Sequence, residues 1–175
     1  VASMSILNSI MQFVMLLLPG LVQGAQPLLS YNLGAQNISR VKKTFRLLLA
    51  CCVSGSFFIW LICMTVPAAV TSIFTSDIAL IIYTNKSMRV YLAMLFIYGI
   101  QVACQYSFVA LDQAPKAIFL TIWRKIIILI PLIFILPHFM SDAVMGVYLA
   151  EPIADTIAVC TTAPMFYCYY RKLKG

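Results

Sequence analysis

Glu151 and Asp155 are the only acids inside an apolar block of this sequence, and their spacing of four puts both on one helix face. Two carboxylates stacked in an apolar environment repel each other, and taking up a proton or another cation relieves the repulsion. That is the chemistry of an ion-coupling site. A hydrated structural pair, or a bond from Asp155 to the backbone freed by Pro152, is the other reading.

Two groups of amides come next. Gln23 and Gln26 lie one helical turn apart with Asn32 just beyond them, and Gly24 and Pro27 are expected to interrupt the helix that carries them. These amides either line a cavity or its gate, or hold neighbouring helices together at about 0.6 kcal/mol each. Gln101 and Gln105 lie four apart beside Tyr98, Cys104 and Tyr106. Amides and aromatic faces together suit an organic cation, since a π face attracts a cation by about 0.5 to 2 kcal/mol. The nine methionines suit varied ligands and plain packing equally.

The elements that must position these residues are membrane spans. Residues 1–39 contain no Asp, Glu, Lys, Arg or His, and Arg40, Lys42, Lys43 and Arg46 follow at once. A long uncharged run ending in cations crosses a bilayer before it does anything else. Composition agrees: 63% of residues are apolar, 10% are charged and the mean hydropathy is +0.98. Soluble domains carry about a quarter charged residues.

Five spans are expected, at about 5–33, 47–76, 90–111, 117–137 and 143–170, with a basic loop at 36–46. The connections are short, so neighbouring spans run antiparallel. Alternating sides gathers Arg40, Lys42, Lys43, Arg46, Lys116, Arg124, Lys125, Arg171, Lys172 and Lys174 on one face and leaves Lys86 and Arg89 on the other. That asymmetry puts the C-terminus in the cytoplasm of a plasma or inner membrane, with Asp77, His138 and Asp142 on the far side. Arg124 and Lys125 are placed nearer the inner surface, within reach of anionic headgroups. The net charge of +7 is thereby read as orientation, and nucleic acid is not an expected partner. Glu151, counted from Ala143, lies about 12 to 13 Å below the outer surface at 1.5 Å per residue. The chain opens on Val1 with no basic leader ahead of the first span, which reads as the tail of a longer protein. No internal repeat is evident.

Identity is carried by Gly20-Leu21-Val22-Gln23-Gly24-Ala25-Gln26-Pro27-Leu28-Leu29-Ser30-Tyr31-Asn32-Leu33-Gly34-Ala35, followed by Gln36-Asn37-Ile38-Ser39-Arg40-Val41. This stretch resembles the multidrug and toxic compound extrusion (MATE) family, whose eighth helix ends in a pattern close to G-x-x-Q-G-x-Q-P-x-x-G-Y-N-x-G-A-x-x-x-x-R-V. Ser30 departs from it where Gly is usual. Thr121 to Pro137 looks like the eleventh helix of that family, and Ala150-Glu151-Pro152-Ile153-Ala154-Asp155 like the opening of the twelfth. Asp112 and Pro115 make the connection before the eleventh helix unusual.

The resemblance implies an all-α membrane protein whose five transmembrane helices form most of one six-helix lobe. It also implies an alternating-access antiporter that exports organic, cationic drugs or metabolites in exchange for H⁺ or Na⁺. Its partners would be a small-molecule substrate, the coupling ion, the lipid bilayer and the N-terminal lobe of the same protein. Two other readings stand beside it: a flippase of lipid-linked oligosaccharides, whose cavity would favour basic residues, and a non-transporting five-helix membrane subunit.

Nothing points to an enzyme, a cofactor or a metal. Cys51, Cys52, Cys63, Cys104, Cys160 and Cys168 lack metal-ligand spacing and are expected to be buried free thiols. His138 has no partner histidine and reads as a solvated loop residue.

Overall fold

The computed structural model describes residues 2–139 and 143–173, and every element among them is helical. Helix α1, Ala2–Gly34, is continuous, although Pro19 and Pro27 lie inside it. The expected interruption at Gly24 and Pro27 is absent: α1 stays helical through both. Its buried positions Leu7, Met11, Val14, Leu18, Val22 and Leu29 recur at helical spacing and form one stripe against the bundle.

The basic segment forms the start of a helix where a loop was expected. Only Ala35, Gln36 and Asn37 turn the chain, with Gln36 in the left-handed region at φ 53°. Asn37 then caps α2, Ile38–Thr65, its side chain accepting from the Arg40 N–H at 3.3 Å. Arg40, Lys42, Lys43 and Arg46 therefore ride on the first turns of α2.

Val66 precedes Pro67 and ends α2, as the residue before a proline is pushed out of the helical region. The six-residue α3, Pro67–Ser72, follows. The outer connection expected at 77–89 is instead mostly helix α4, Ile78–Tyr91, which Asp77 caps by accepting from the Ala79 and Leu80 N–H groups. After a break at residues 92–94 comes α5, Leu95–Ala110, at 49° to α4. The third span is thus a broken pair.

Helix α5 is the hub, packing on α1, α2 and the last helix, α8, Ala143–Lys172. Its approach to α2 is close at Gly99, where an added Cβ would collide with the Cys52 carbonyl oxygen and sit 2.5 Å from the Ser56 hydroxyl. Ser56 donates across the same contact to the Phe96 carbonyl at 3.0 Å. Phe45, Phe108 and Phe166 join α2, α5 and the last helix at ring-centroid distances of 4.4 Å (Phe45 to Phe166) and 4.9 Å (Phe108 to Phe166).

Asp112, at φ 58°, turns the chain into α6, Ala114–Ile122, with Pro115 in its first turn, a position that needs no donor. Trp123–Leu129 then widens into π-helical turns before α7, Ile130–Phe139. Pro131 accounts for the place, since a proline there would clash with the Ile127 carbonyl of a regular α-helix. Helix α8, Ala143–Lys172, carries Pro152 and Pro164.

Four helical stretches are long and apolar enough to cross a membrane, and the bent α4–α5 pair makes a fifth. The expected loop residue Asp142 and the terminal Lys174 lie outside the described residues.

Candidate functional site

The first side chain to place is one that spacing alone did not single out. Arg124 sits in the π-helical segment and is 6% exposed, about 15 Å from the start of α6 at 1.5 Å per residue. Asp155 lies about 18 Å into α8, so the two meet far from either end of their helices.

Arg124 Nε donates to an Asp155 carboxylate oxygen at 2.7 Å, and its Nη2 pairs with the same carboxylate. Nη2 also reaches Glu151 at 3.2 Å. The Asp155 side chain is 6% exposed and that of Glu151 19%. This corrects two expectations. The acids are not a bare repelling pair, and Arg124 is not a residue of the inner surface. A guanidinium bridges the carboxylates, which removes the repulsion and leaves the three groups with one formal negative charge.

The hydroxyl of Thr156, not Asp155, meets the backbone at Pro152, donating to its carbonyl at 2.7 Å. The signal for Arg124 was present in the sequence: a lone arginine within an apolar run needs a counter-charge in a neighbouring span.

The face of Tyr98 lies 5.2 Å from the Arg124 guanidinium carbon, and the Tyr98 hydroxyl points to the Met15 sulfur at 3.1 Å. Beside them opens a cavity of about 450 Å³ between α1, α5, α6 and the π-helical turns. Its polar wall is Tyr98, Gln105, Tyr106, Thr121, Arg124 and Lys125, and among the described residues no acid lines it.

Gln105 is fixed at both ends, accepting from Gln101 at 3.2 Å and donating to the Thr121 hydroxyl at 2.6 Å. Gln101, 2% exposed, supports it from behind. Of the expected lining residues, Tyr98 and Gln105 are in the wall and Gln101 is one step removed.

Gln23, Gln26 and Asn32 are on α1 outside this cavity. Gln23 is exposed and Gln26 half-buried. Asn32 is buried and its amide donates to the Leu28 carbonyl at 2.7 Å. Ser30, the departure from the motif, donates to the Ala110 carbonyl at 2.8 Å and ties α1 to the end of α5. All six cysteines are free thiols, but only Cys52, Cys63 and Cys104 are buried; Cys51, Cys160 and Cys168 lie on the outside of this bundle.

Broken and π-wound helices around a buried charge cluster make this an all-helical bundle of up to five candidate membrane spans. The MatE family model matches residues 1–135, and the chain belongs to that family. The multidrug export protein MepA of Staphylococcus haemolyticus (strain JCSC1435) is 27% identical over 173 residues, covering 97% of this chain and 36% of its own length.

Among solved structures, the MATE multidrug transporter DinF-BH aligns with a TM-score of 0.83 at 33% identity. That alignment covers 91% of this chain and 35% of DinF-BH. A MOP superfamily transporter from Pyrococcus furiosus, described as having a binding pocket of reversed polarity, aligns with a TM-score of 0.89 at 15% identity. It covers 100% of this chain and 39% of the other, and at that identity it speaks for the fold. The chain thus spans a little over a third of the length of these relatives.

Proposed function

We propose that this lobe belongs to a cation-coupled antiporter that exports organic, cationic molecules by alternating access, with Glu151 and Asp155 taking the coupling H⁺ or Na⁺. One observation carries the reading: a buried cluster with one formal negative charge, Arg124 with Glu151 and Asp155, abuts a cavity through the same arginine. A net charge in hydrocarbon is costly, and a bound cation cancels it. Ionisable groups at such depth in a bundle mark ion pathways more often than they mark architecture.

Tyr98 and Gln105 would contact the substrate from this lobe, with Gln101 positioning Gln105. Gln23, Gln26 and Asn32 are left to the α1 surface, where Gln23 and Gln26 can meet the opposing lobe. The basic ends of α2 and α8 support a cytoplasmic C-terminus.

The test is efflux of ethidium from cells expressing the full reading frame at equal membrane levels of wild type, Glu151→Gln and Asp155→Asn. Loss of efflux in either variant is expected. Wild-type efflux from both would remove the acids from the coupling role.

A second reading rests on the cavity wall, which offers Arg124 and Lys125 and, among the described residues, no acid. Such a wall suits the phosphate of a lipid-linked substrate, and one fold neighbour is described as having a pocket of reversed polarity. An expressed wild type that moves no cationic dye would favour it.

A further inference from the structure

We propose that Arg124 is a tethered competitor: it pairs with Glu151 and Asp155 when they are empty and turns into the cavity when they take a cation, so that the coupling ion and a cationic substrate exclude each other through it. The proposal rests on the acids being the coupling site, and it adds the device that links them to the substrate.

Three features of the structure carry it. Arg124 is at once the partner of both carboxylates and part of the cavity wall, so one side chain already touches both compartments. Among the described residues no carboxylate lines the cavity, so an organic cation there has no direct competition with the coupling ion for a shared acid. Within this lobe, Arg124 is the charged side chain that touches both the acids and the cavity.

The third feature is the backbone. Arg124 is the second residue of the π-helical segment Trp123–Leu129. A π turn holds an extra residue, and its conversion to α-helix rotates the residues at its edge around the axis. Such a conversion would move Arg124, which stands at that edge. The neighbouring Trp123 indole N–H is buried without a hydrogen bond among the described residues, so this register does not satisfy every buried polar group there.

Tyr98 provides the path. Its ring face lies 5.2 Å from the guanidinium and itself lines the cavity, so the charge stays against an aromatic face as it turns. The other ionisable groups of this region are Tyr91 on α4, whose ring meets Tyr148 of α8 edge-on, and Tyr106 and Lys125 in the cavity wall. Among the described residues, only Glu151 and Asp155 form ion pairs with it.

The sign follows from charge. With the acids empty, the cluster is net negative beside the cavity and a substrate cation is attracted. With a cation on the acids, the guanidinium charge faces the cavity and the substrate is expelled.

The experiment is binding of radiolabelled tetraphenylphosphonium to the full-length protein in detergent, with pH varied at zero Na⁺ and Na⁺ varied at fixed high pH. Wild type should show a Kd that rises up to about tenfold per pH unit of acidification, or in proportion to Na⁺, as one-for-one exclusion requires. The responding arm identifies the ion. Arg124→Met should bind the probe with a Kd that no longer responds to either ion, and Arg124→Lys should restore part of the response. Should Arg124→Met fail to fold, Arg124→Gln, which leaves both acids in place and can still donate a hydrogen bond to them, takes its place and should likewise give a flat response.

If Arg124→Met keeps the full wild-type response while Glu151→Gln or Asp155→Asn abolishes it, the acids couple directly and the competitor is overturned. If the acid variants keep the response as well, the coupling reading fails with it.

Discussion

Arg124 and Asp155 meet through two nitrogens of the guanidinium on one carboxylate, with Nε donating at 2.7 Å, deep in their helices and almost out of reach of solvent. Glu151 is the lesser partner, at 3.2 Å and with about three times the exposure of Asp155. The asymmetry orders the consequences of removing each acid.

Asp155→Ala strips Arg124 of its principal partner and leaves the guanidinium to Glu151 alone, without its shortest charge-assisted hydrogen bonds, a loss of about 1.5 to 3 kcal/mol. Glu151→Ala should cost clearly less. Melting temperatures of the detergent-solubilised full-length protein should fall in that order, and an equal or reversed order would contradict the geometry.

Gly99→Ala should destabilise the lobe by about 1 to 3 kcal/mol, because the new methyl collides with the Cys52 carbonyl and the Ser56 hydroxyl, and one of these is backbone. Gly55→Ala is the matched control, as its Cβ would meet only the Leu18 side chain at 3.6 Å. The yield of monodisperse protein after heating separates the two.

Sequence reading reached the all-helical membrane class and the family, and it named the two acids without the residue that joins them. Arg124 was assigned to the inner surface because it was counted with Lys125 as a topology signal, and counting charges by loop takes no account of which helix faces which. The bend between α4 and α5 escaped because no proline or glycine marks residues 92–94; Trp60, from α2, packs on Phe96 and bonds to the break. Gln105 was legible as a lining residue because its spacing from Gln101 fixes a shared face. Its tie to Thr121 was not, as that requires the α5–α6 turn.

Trp60 donates its indole N–H to the Ala93 carbonyl, in the break between α4 and α5, at 3.1 Å. Trp60→Phe keeps the ring and removes the donor, which should cost about 0.5 to 1.5 kcal/mol. Faster hydrogen exchange confined to residues near 92–97 is the expected signature; uniform protection would show that the bend holds itself.

Gln105→Leu leaves the buried Gln101 amide without its acceptor, at a cost of about 1 to 3 kcal/mol. The double variant Q101L/Q105L removes both ends and should recover most of the stability while still lowering affinity for a cationic dye. Thermal melts and dye titration on the same preparations distinguish a positioning role from a purely structural one.

The absence of slack between α2 and α5 at Gly99 has a mechanical consequence. Two backbones in contact there cannot slide past each other, so the 28-residue α2 behaves as the arm of a lever about 42 Å long, and a tilt of about 10° at one membrane face sweeps the other through about 7 Å. A displacement of that size is comparable to the width of a small aromatic molecule. Close backbone contact at Gly99 thus favours tilting of the two helices as one body over deformation between them.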